Sequence, residues 1–141
     1  MKLGPHIISA PKIFYPYIGL SNAKGFLIFK WIFLRSEIYN DLTSNKPDPR
    51  NIAILIHENV HLERSREIGQ IRFWGKYVFT NQGRLEEELL AYGKQMKYLK
   101  GKGLEYDISR VAKALSSWVY LWCCPYTEAK AGLEKIWAEA K

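Results

Sequence analysis

Two histidines and a glutamate, His57, Glu58 and His61, form the pattern His-Glu-x-x-His near the middle of the chain. Residues four apart lie one above the other on an α-helix, so both imidazoles of such a pair can reach one metal ion. The glutamate between them points about 100° away, where it can act as a base on a water molecule activated by that metal. These residue types at this spacing are typical of zinc-assisted hydrolysis.

The residues around this pentad predict that it lies on one long helix. Asp48 and Pro49 supply an N-cap and a first-turn proline, and Gly69 supplies a stop. The run 52–56 is apolar on all sides, which indicates a helix buried in the centre of the domain. Buried imidazoles need polar partners, and a metal ion would satisfy one nitrogen of each ring. The competing interpretation is an ordinary helix that fits a short pattern by chance.

A catalytic zinc ion usually has a third protein ligand, and the carboxylate cluster downstream is Glu86-Glu87-Glu88. The predicted helix around it carries an apolar stripe formed by Leu85, Leu89, Tyr92, Met96 and Leu99. Glu88 falls inside this stripe, where a carboxylate is costly unless it is paired or bound to a metal. Glu88 is therefore the predicted third ligand, with a salt bridge to a lysine or arginine as the alternative. Glu86 and Glu87 are expected to be solvated acids near the helix N-terminus.

The pentad helix, followed by a helix with Glu88-Leu89-Leu90-Ala91-Tyr92, resembles the gluzincin group of zinc metallopeptidases. The small size and the strand expected before the pentad are similar to the single-domain minigluzincins in particular. The resemblance spans roughly residues 25–99. It implies that His57, His61 and Glu88 bind zinc, that Glu58 is the general base, and that the substrate is a peptide or protein. The chain has Tyr92 where several gluzincins place an aspartate.

Length and composition predict one ordered domain spanning residues 1–141, with 48% hydrophobic and 14% aromatic residues. The longest apolar stretch, residues 25–34, contains Lys30 and is too short to cross a bilayer. Because no signal peptide is recognised either, we expect a cytoplasmic protein without a membrane partner. Cys123 and Cys124 are expected to be reduced, buried thiols, since a disulfide between adjacent cysteines is strained.

The net charge of +7 raises the question of nucleic-acid binding. Four lysines cluster near the end of the glutamate helix: Lys94, Lys97, Lys100 and Lys102. No recognised nucleic-acid motif accompanies them, and acidic or extended polypeptide segments fit the charge equally well. The alternatives to a metallopeptidase are a non-catalytic zinc-containing binding or scaffold protein and a basic nucleic-acid-binding protein with a coincidental pentad. The sequence does not indicate an oligomeric state.

The order of elements predicts an α+β fold, in which a small N-terminal antiparallel sheet packs on a helical core with the zinc site between two helices. Residues 1–47 are expected to be mainly strands and loops, and residues 48–141 mainly helices. The first part contains aromatic and β-branched segments such as 13–15, a turn at 22–25, strands within 26–35 and a polar connection at 36–47. The edge of the strand before the pentad is a candidate site for strand addition by a peptide.

The remaining segments leave several roles open. Residues 72–79 are dense with aromatics and fit either a helical continuation or a connection packed beneath the zinc. One helix is predicted over 107–122, with apolar residues at helical spacing and Pro125 after its end, and a last helix over 127–140. Small peptidases of this type can be kept latent by a terminal segment, which makes the last helix a candidate lid.

Hydrolysis also needs a group that stabilises an oxyanion. The candidates for it are Tyr77, Tyr92, Tyr120 and the arginines.

Overall fold

The computed structural model describes residues 1–10 and 24–140 of the 141-residue chain. In this part, the strands are β1 (Ile7–Ala10), β2 (Gly25–Ile28) and β3 (Trp31–Arg35). The helices are α1 (Ser36–Thr43), α2 (Pro49–Ile68), α3 (Gln70–Phe79), α4 (Asn81–Gly101), α5 (Ile108–Leu115) and α6 (Tyr126–Glu139), with a 3₁₀ turn at Trp118–Tyr120. The predicted α+β class is confirmed. The segment predicted at 13–15 and the first two residues of the turn predicted at 22–25 lie outside the described residues.

The three strands form a mixed sheet in the order β1-β3-β2. β2 and β3 form an antiparallel hairpin in which Ile28 is opposite Trp31, whereas β1 runs parallel to β3 with Ile8 opposite Phe33. The prediction of an antiparallel sheet is therefore wrong for β1. Parallel neighbours cannot be joined by a tight turn, and here residues 11–30, including β2, separate β1 from β3 along the chain.

The helices bury two apolar clusters, one between the sheet and α1, α2 and α3, and the other between α4, α5 and α6. Ile32 and Leu34 on the inner face of the sheet form one cluster with Leu62 of α2. The second cluster joins α4 to α5 and α6 and includes Met96 and Leu133, neither of which has measurable exposure. α2 packs against both the sheet and α4. The pentad helix is thus central, as its apolar first half predicts.

The ends of α2 agree with the sequence, whereas α1 was not predicted. The side chain of Asp48 accepts a hydrogen bond of 2.8 Å from the backbone N–H of Arg50, and Gly69 ends the helix with a φ of 89°. The segment interpreted as a polar connection contains α1, which buries Ile38 and Leu42. Two apolar residues one turn apart are too few to give a recognisable period in a short polar segment.

The helix predicted over 107–122 stops at Leu115. The hydroxyls of Ser116 and Ser117 donate to backbone carbonyls three residues earlier, at 3.1 and 2.7 Å, and such bonds compete with helix continuation. A tight turn follows before α6, which begins next to Pro125 close to where it was predicted.

Cys123 and Cys124 are free, buried thiols as expected, and burial raises the pKa of Cys123 to about 12.

Within residues 1–10 and 24–140, the helices are all too short or too polar to cross a membrane.

Gly83 allows the close approach of α3 and α4. A Cβ at this position would overlap Oγ1 of Thr80 and Cγ of Lys76, and would lie 3.0 Å from the carbonyl oxygen of Lys76. We therefore expect Gly83→Ala to lower the free energy of unfolding by about 1–3 kcal/mol, as overpacking does, although alanine is the better helix former. Urea denaturation measures the change.

Gly93 on the same helix provides the control. A Cβ added at Gly93 would lie 3.5 Å from its nearest neighbour, Cγ2 of Ile136, which is an ordinary van der Waals distance. Gly93→Ala should therefore stabilise the protein by up to about 1 kcal/mol. Similar urea midpoints for the two variants would contradict the steric role of Gly83.

Candidate metal centre

Helices α2 and α4 bring together the three side chains that the sequence selects as metal ligands. The Nε2 atoms of His57 and His61 lie 3.2 Å apart. Nε2 of His57 is 3.3 Å from Oε2 of Glu88, and Nε2 of His61 is 3.3 Å from Oε1. The two imidazoles therefore face the two oxygens of one carboxylate. Glu88, the carboxylate on the predicted apolar stripe, is the one that approaches both rings.

The separation of the two imidazole nitrogens is that expected between two ligands of a tetrahedral metal ion. Zinc lies about 2.0–2.1 Å from nitrogen and oxygen ligands, so two ligand atoms of a tetrahedral site are about 3.3 Å apart. The two Nε2 atoms, 3.2 Å apart, match this spacing, and each lies 3.3 Å from a different oxygen of the Glu88 carboxylate. The ligand atoms of His57, His61 and Glu88 all lie within 4.8 Å of one another. This buried His-His-Glu group could hold a metal ion.

The environment of the group also fits a cation. His57, His61 and Glu88 are 7%, 6% and 1% exposed, and Oε2 of Glu88 is buried without a hydrogen bond. Buried polar atoms without partners are rare, and a cation would satisfy this oxygen. The Nδ1 atoms of both histidines also lack hydrogen-bond partners. Metal-bound histidines commonly donate from the second nitrogen to an acceptor, so this outer support is incomplete in the described residues.

Burial and mutual charge shift the protonation of the group. Burial alone would lower the pKa of His61, but the charge of Glu88 and a hydrogen bond to it raise this pKa above its usual value. Burial alone would raise the pKa of Glu88, but the charges of His61 and His57, whose Nε2 atoms each lie 3.3 Å from one of its oxygens, hold this pKa well below its usual range. Both shifts favour positive charge beside an ionised carboxylate. A divalent cation would supply the same polarity.

Tyr77 supports the carboxylate of Glu88. Residues 70–79 are helical, and α3 places the Tyr77 hydroxyl so that it donates to Oε1 of Glu88. The Tyr77 ring lies 5.9 Å from the ring of His61. Burial, together with the charge of Glu88, raises the Tyr77 pKa well above its usual value, so the hydroxyl keeps its proton and remains a donor. Tyr77, one of the candidates for stabilising an oxyanion, thus contacts a predicted metal ligand.

Three further tyrosines lie on the His57 side of the group. The ring of Tyr92 lies 4.4 Å from the ring of His57, and its hydroxyl is 3.0 Å from the hydroxyl of Tyr120. Tyr106 packs next to Tyr92 and stacks on Trp137 of α6. The helix predicted as a candidate lid therefore reaches the site through an aromatic chain, while most of it packs on α4 and α5.

Glu58 lies on the side of α2 that faces the sheet. A Cβ on Gly25, the first residue of β2, would lie 3.4 Å from Cγ of Glu58. Glu58 is 7% exposed, and burial raises its pKa, although the nearby charges of His57 and His61 oppose the shift. A carboxylate with a raised pKa exchanges protons more readily near neutral pH than an ordinary glutamate does.

Glu87 is not the solvated acid expected from the sequence, because it has no measurable exposure. Arg64 donates to it from Nε at 3.1 Å and from Nη2 at 3.2 Å, and Lys76 donates from Nζ at 3.3 Å. Glu86, by contrast, has a half-exposed side chain that pairs with Lys76 at 2.8 Å, so its surface position is confirmed. Helical spacing does not predict the burial of Glu87, because the spacing indicates one buried side of α4. In the structure α2 and α3 both pack against that helix, so more than one of its sides is buried.

The ion pairs of Glu87 join the three helices around the candidate metal centre. Arg64 lies one turn after His61 on α2, and Lys76 precedes Tyr77 on α3. Each partner of Glu87 is therefore next to a side chain that contacts Glu88. We infer that this buried cluster sets the distance between α4 and the histidines.

Glu87→Gln should destabilise the fold, because it leaves Arg64 and Lys76 without their buried carboxylate. We expect a loss of about 1–3 kcal/mol in the free energy of unfolding. Glu86→Gln, the matched control, should change it by less than about 1 kcal/mol, as for a surface ion pair. Guanidinium denaturation in a chelating buffer separates the two, and equal losses would show that Glu87 has no special role.

Comparisons of the chain with family models, with curated proteins and with solved structures found no match. Its function is therefore inferred from the arrangement of its own side chains.

Proposed function

We propose that this protein is a zinc-dependent metallopeptidase in which His57, His61 and Glu88 hold the metal and Glu58 is the general base. The observation that carries the proposal is the approach of three donor groups from α2 and α4 to 3.2 and 3.3 Å, with a buried glutamate next to the first of them. The resemblance of the pentad and the Glu88 helix to gluzincins supports the same assignment. We further propose that the enzyme works in the cytoplasm.

The side chains divide the chemistry between them. When bound, zinc supplies a Lewis acid that polarises the scissile carbonyl and acidifies a water molecule. Glu58 accepts the proton of the attacking water and passes it to the leaving amine. Tyr77 donates to Oε1 of Glu88, which leaves Oε2, the oxygen without a hydrogen bond, as the free ligand atom. Three protein ligands favour a catalytic site, since structural zinc usually has four.

The sheet supports a peptide as the substrate. β2 is an edge strand, and its first residue, Gly25, lies beside Glu58. An extended peptide that added to this edge through backbone hydrogen bonds would bring a scissile bond close to the general base. Gly25 has no side chain to obstruct that approach.

The burial of the site supports a latent state of the enzyme. The predicted ligands and base are all less than a tenth exposed, and Tyr92, Tyr106 and Tyr120 lie on one side of them. A substrate can reach Glu58 only after part of this cover moves. The same burial favours the second candidate function, a zinc-containing scaffold protein without catalytic activity.

The identity of the third ligand predicts the metal content of two variants. Glu88→Gln removes the charge but keeps the size, and should weaken zinc binding by at least about 100-fold, more than the loss of an outer-shell partner. Glu86→Gln, two residues earlier on the same helix, should bind zinc like the wild type. Elemental analysis and titration against a chelating dye measure both. Equal zinc affinities would refute Glu88 as a ligand.

The role of Glu58 predicts a variant that keeps the metal but loses activity. Glu58→Gln should retain stoichiometric zinc and lose about 10²–10⁴-fold in peptide hydrolysis, the usual contribution of a general base. Glu63→Gln, an exposed position on the same helix, is the control and should remain active. Casein and a fluorogenic peptide library provide the substrates.

The wild type decides between the two candidate functions. Wild-type protein that binds zinc but cleaves neither substrate, even after removal of the residues that follow α5, would favour the scaffold. Activity retained by Glu58→Gln would reject the assigned base.

A further inference from the structure

The exposed apolar side chains of this protein are concentrated in one region. Among the described residues, eleven large hydrophobic side chains are exposed, and nine of them belong to three short segments. We name these nine the apolar face: Ile28, Phe29, Trp31, Ile71, Val78, Phe79, Trp118, Leu121 and Trp122. Ile71 and Phe79 are 92% and 86% exposed. Soluble proteins rarely expose contiguous apolar areas of this kind without a binding role.

The three segments adjoin one another. The ring of Phe29, in the turn between β2 and β3, lies 6.1 Å from the ring of Trp74 on α3. At the other end of α3, Arg84 donates to the carbonyl oxygen of Val78 at 2.7 Å and to that of Tyr120 at 3.2 Å. The apolar face therefore runs from the hairpin turn along α3 to the turn after α5.

Backbone strain is concentrated in the same face. Phe29, Leu121 and Trp122 have φ values of 50°, 53° and 48°, and they are the non-glycine residues with positive φ in the described chain. Glycine or asparagine normally occupies such positions, because bulky side chains are disfavoured there. These three side chains are 60%, 54% and 66% exposed, so burial in the core does not explain them. Backbone strain at exposed, bulky side chains indicates that these side chains contact a partner outside the protein.

The segments that carry the apolar face contain no acidic residue. Residues 24–36, 68–85 and 108–127 hold eight lysines and arginines but no aspartate or glutamate, although the chain has 14 acids. Lys30 lies within the hairpin turn, and the exposed Arg72 follows Ile71 on α3. Tryptophan and phenylalanine beside cations, without acids, are typical of surfaces that lie at the interface of a membrane.

We propose that the apolar face docks on the surface of an anionic lipid bilayer. Phe29, Phe79 and Trp122 enter the boundary between headgroups and acyl chains, while Lys30 and Arg72 contact the phosphate and carboxylate groups of the lipids. The association is interfacial, in keeping with helices that cannot span a membrane in the described part of the chain. The lack of a long apolar stretch in the sequence predicts only that no segment spans a membrane. A surface formed by three segments that are separate in sequence cannot be recognised from such a stretch.

Vesicle binding by the full chain tests the proposal, whatever the outcome for the metal centre. We expect the protein to sediment with vesicles of phosphatidylcholine and phosphatidylserine and to show a blue shift of tryptophan fluorescence. Binding should weaken in pure phosphatidylcholine and at high salt, because headgroup attraction is screened. No sedimentation with anionic vesicles would overturn the proposal.

Single substitutions within the face and outside it identify the docking surface. Phe79→Ser should weaken vesicle binding by about tenfold or more, the loss expected when a large apolar side chain no longer leaves water. Leu90→Ser changes a half-exposed apolar residue on α4, outside the face, and should leave binding unchanged. Equal effects of the two substitutions would contradict the assigned surface.

A substitution at a strained position distinguishes a docking role from a structural role, because the two roles predict different changes in Tm. Trp122→Gly should also weaken vesicle binding, yet its Tm should stay equal or rise, because glycine tolerates the positive φ. If its Tm falls instead, the role of Trp122 is structural, and Phe79→Ser, at an 86% exposed position, decides the proposal. A wild-type dimer that Phe79→Ser dissociates, without vesicle binding by either protein, would assign the face to a second copy of the chain and overturn the membrane proposal.

Discussion

The approach of one carboxylate of α4 to two imidazoles of α2 is the constraint on which the rest of the structure depends. The two Nε2 atoms lie 3.2 Å apart and each lies 3.3 Å from a carboxylate oxygen of Glu88. Burying three such polar groups together costs free energy unless positive charge lies among them. A proton on one of the imidazoles or a metal ion can provide that charge. The sheet on one side of α2 and the tyrosines on the other then decide what can reach that charge.

The candidate ligands could be predicted because local helical geometry determines them. Spacing alone places His57 and His61 on one side of a helix, and the apolar stripe distinguishes Glu88 from its neighbours. The burial of Glu87 could not be predicted in the same way, because it depends on how α3 packs against α4. The parallel pairing of β1 likewise depends on tertiary arrangement, since a strand of four residues does not indicate the direction of its partner.

The region after Leu115 shows a different limit of sequence patterns. Trp118 and Leu121 continue the helical spacing of α5, and this pattern predicts one helix through residue 122. In the structure both side chains are exposed, Trp118 in the 3₁₀ turn and Leu121 at a positive φ of 53°. A periodic apolar pattern reports which residues would share one side of a helix. It does not report whether the helix continues or whether that side meets protein, solvent or lipid.

The buried ion pairs of Glu87 have a consequence for how a metal ion would enter and leave the candidate site. Arg64 and Lys76 carry permanent charges, so they tie α4 to α2 and α3 whether or not an ion is present. Many small zinc domains instead fold around the ion and spend binding free energy on ordering the chain. In this protein the ion pairs would hold the three helices together without an ion, so a chelator should remove a bound ion without unfolding the chain, and a new ion would bind to a site that is already formed.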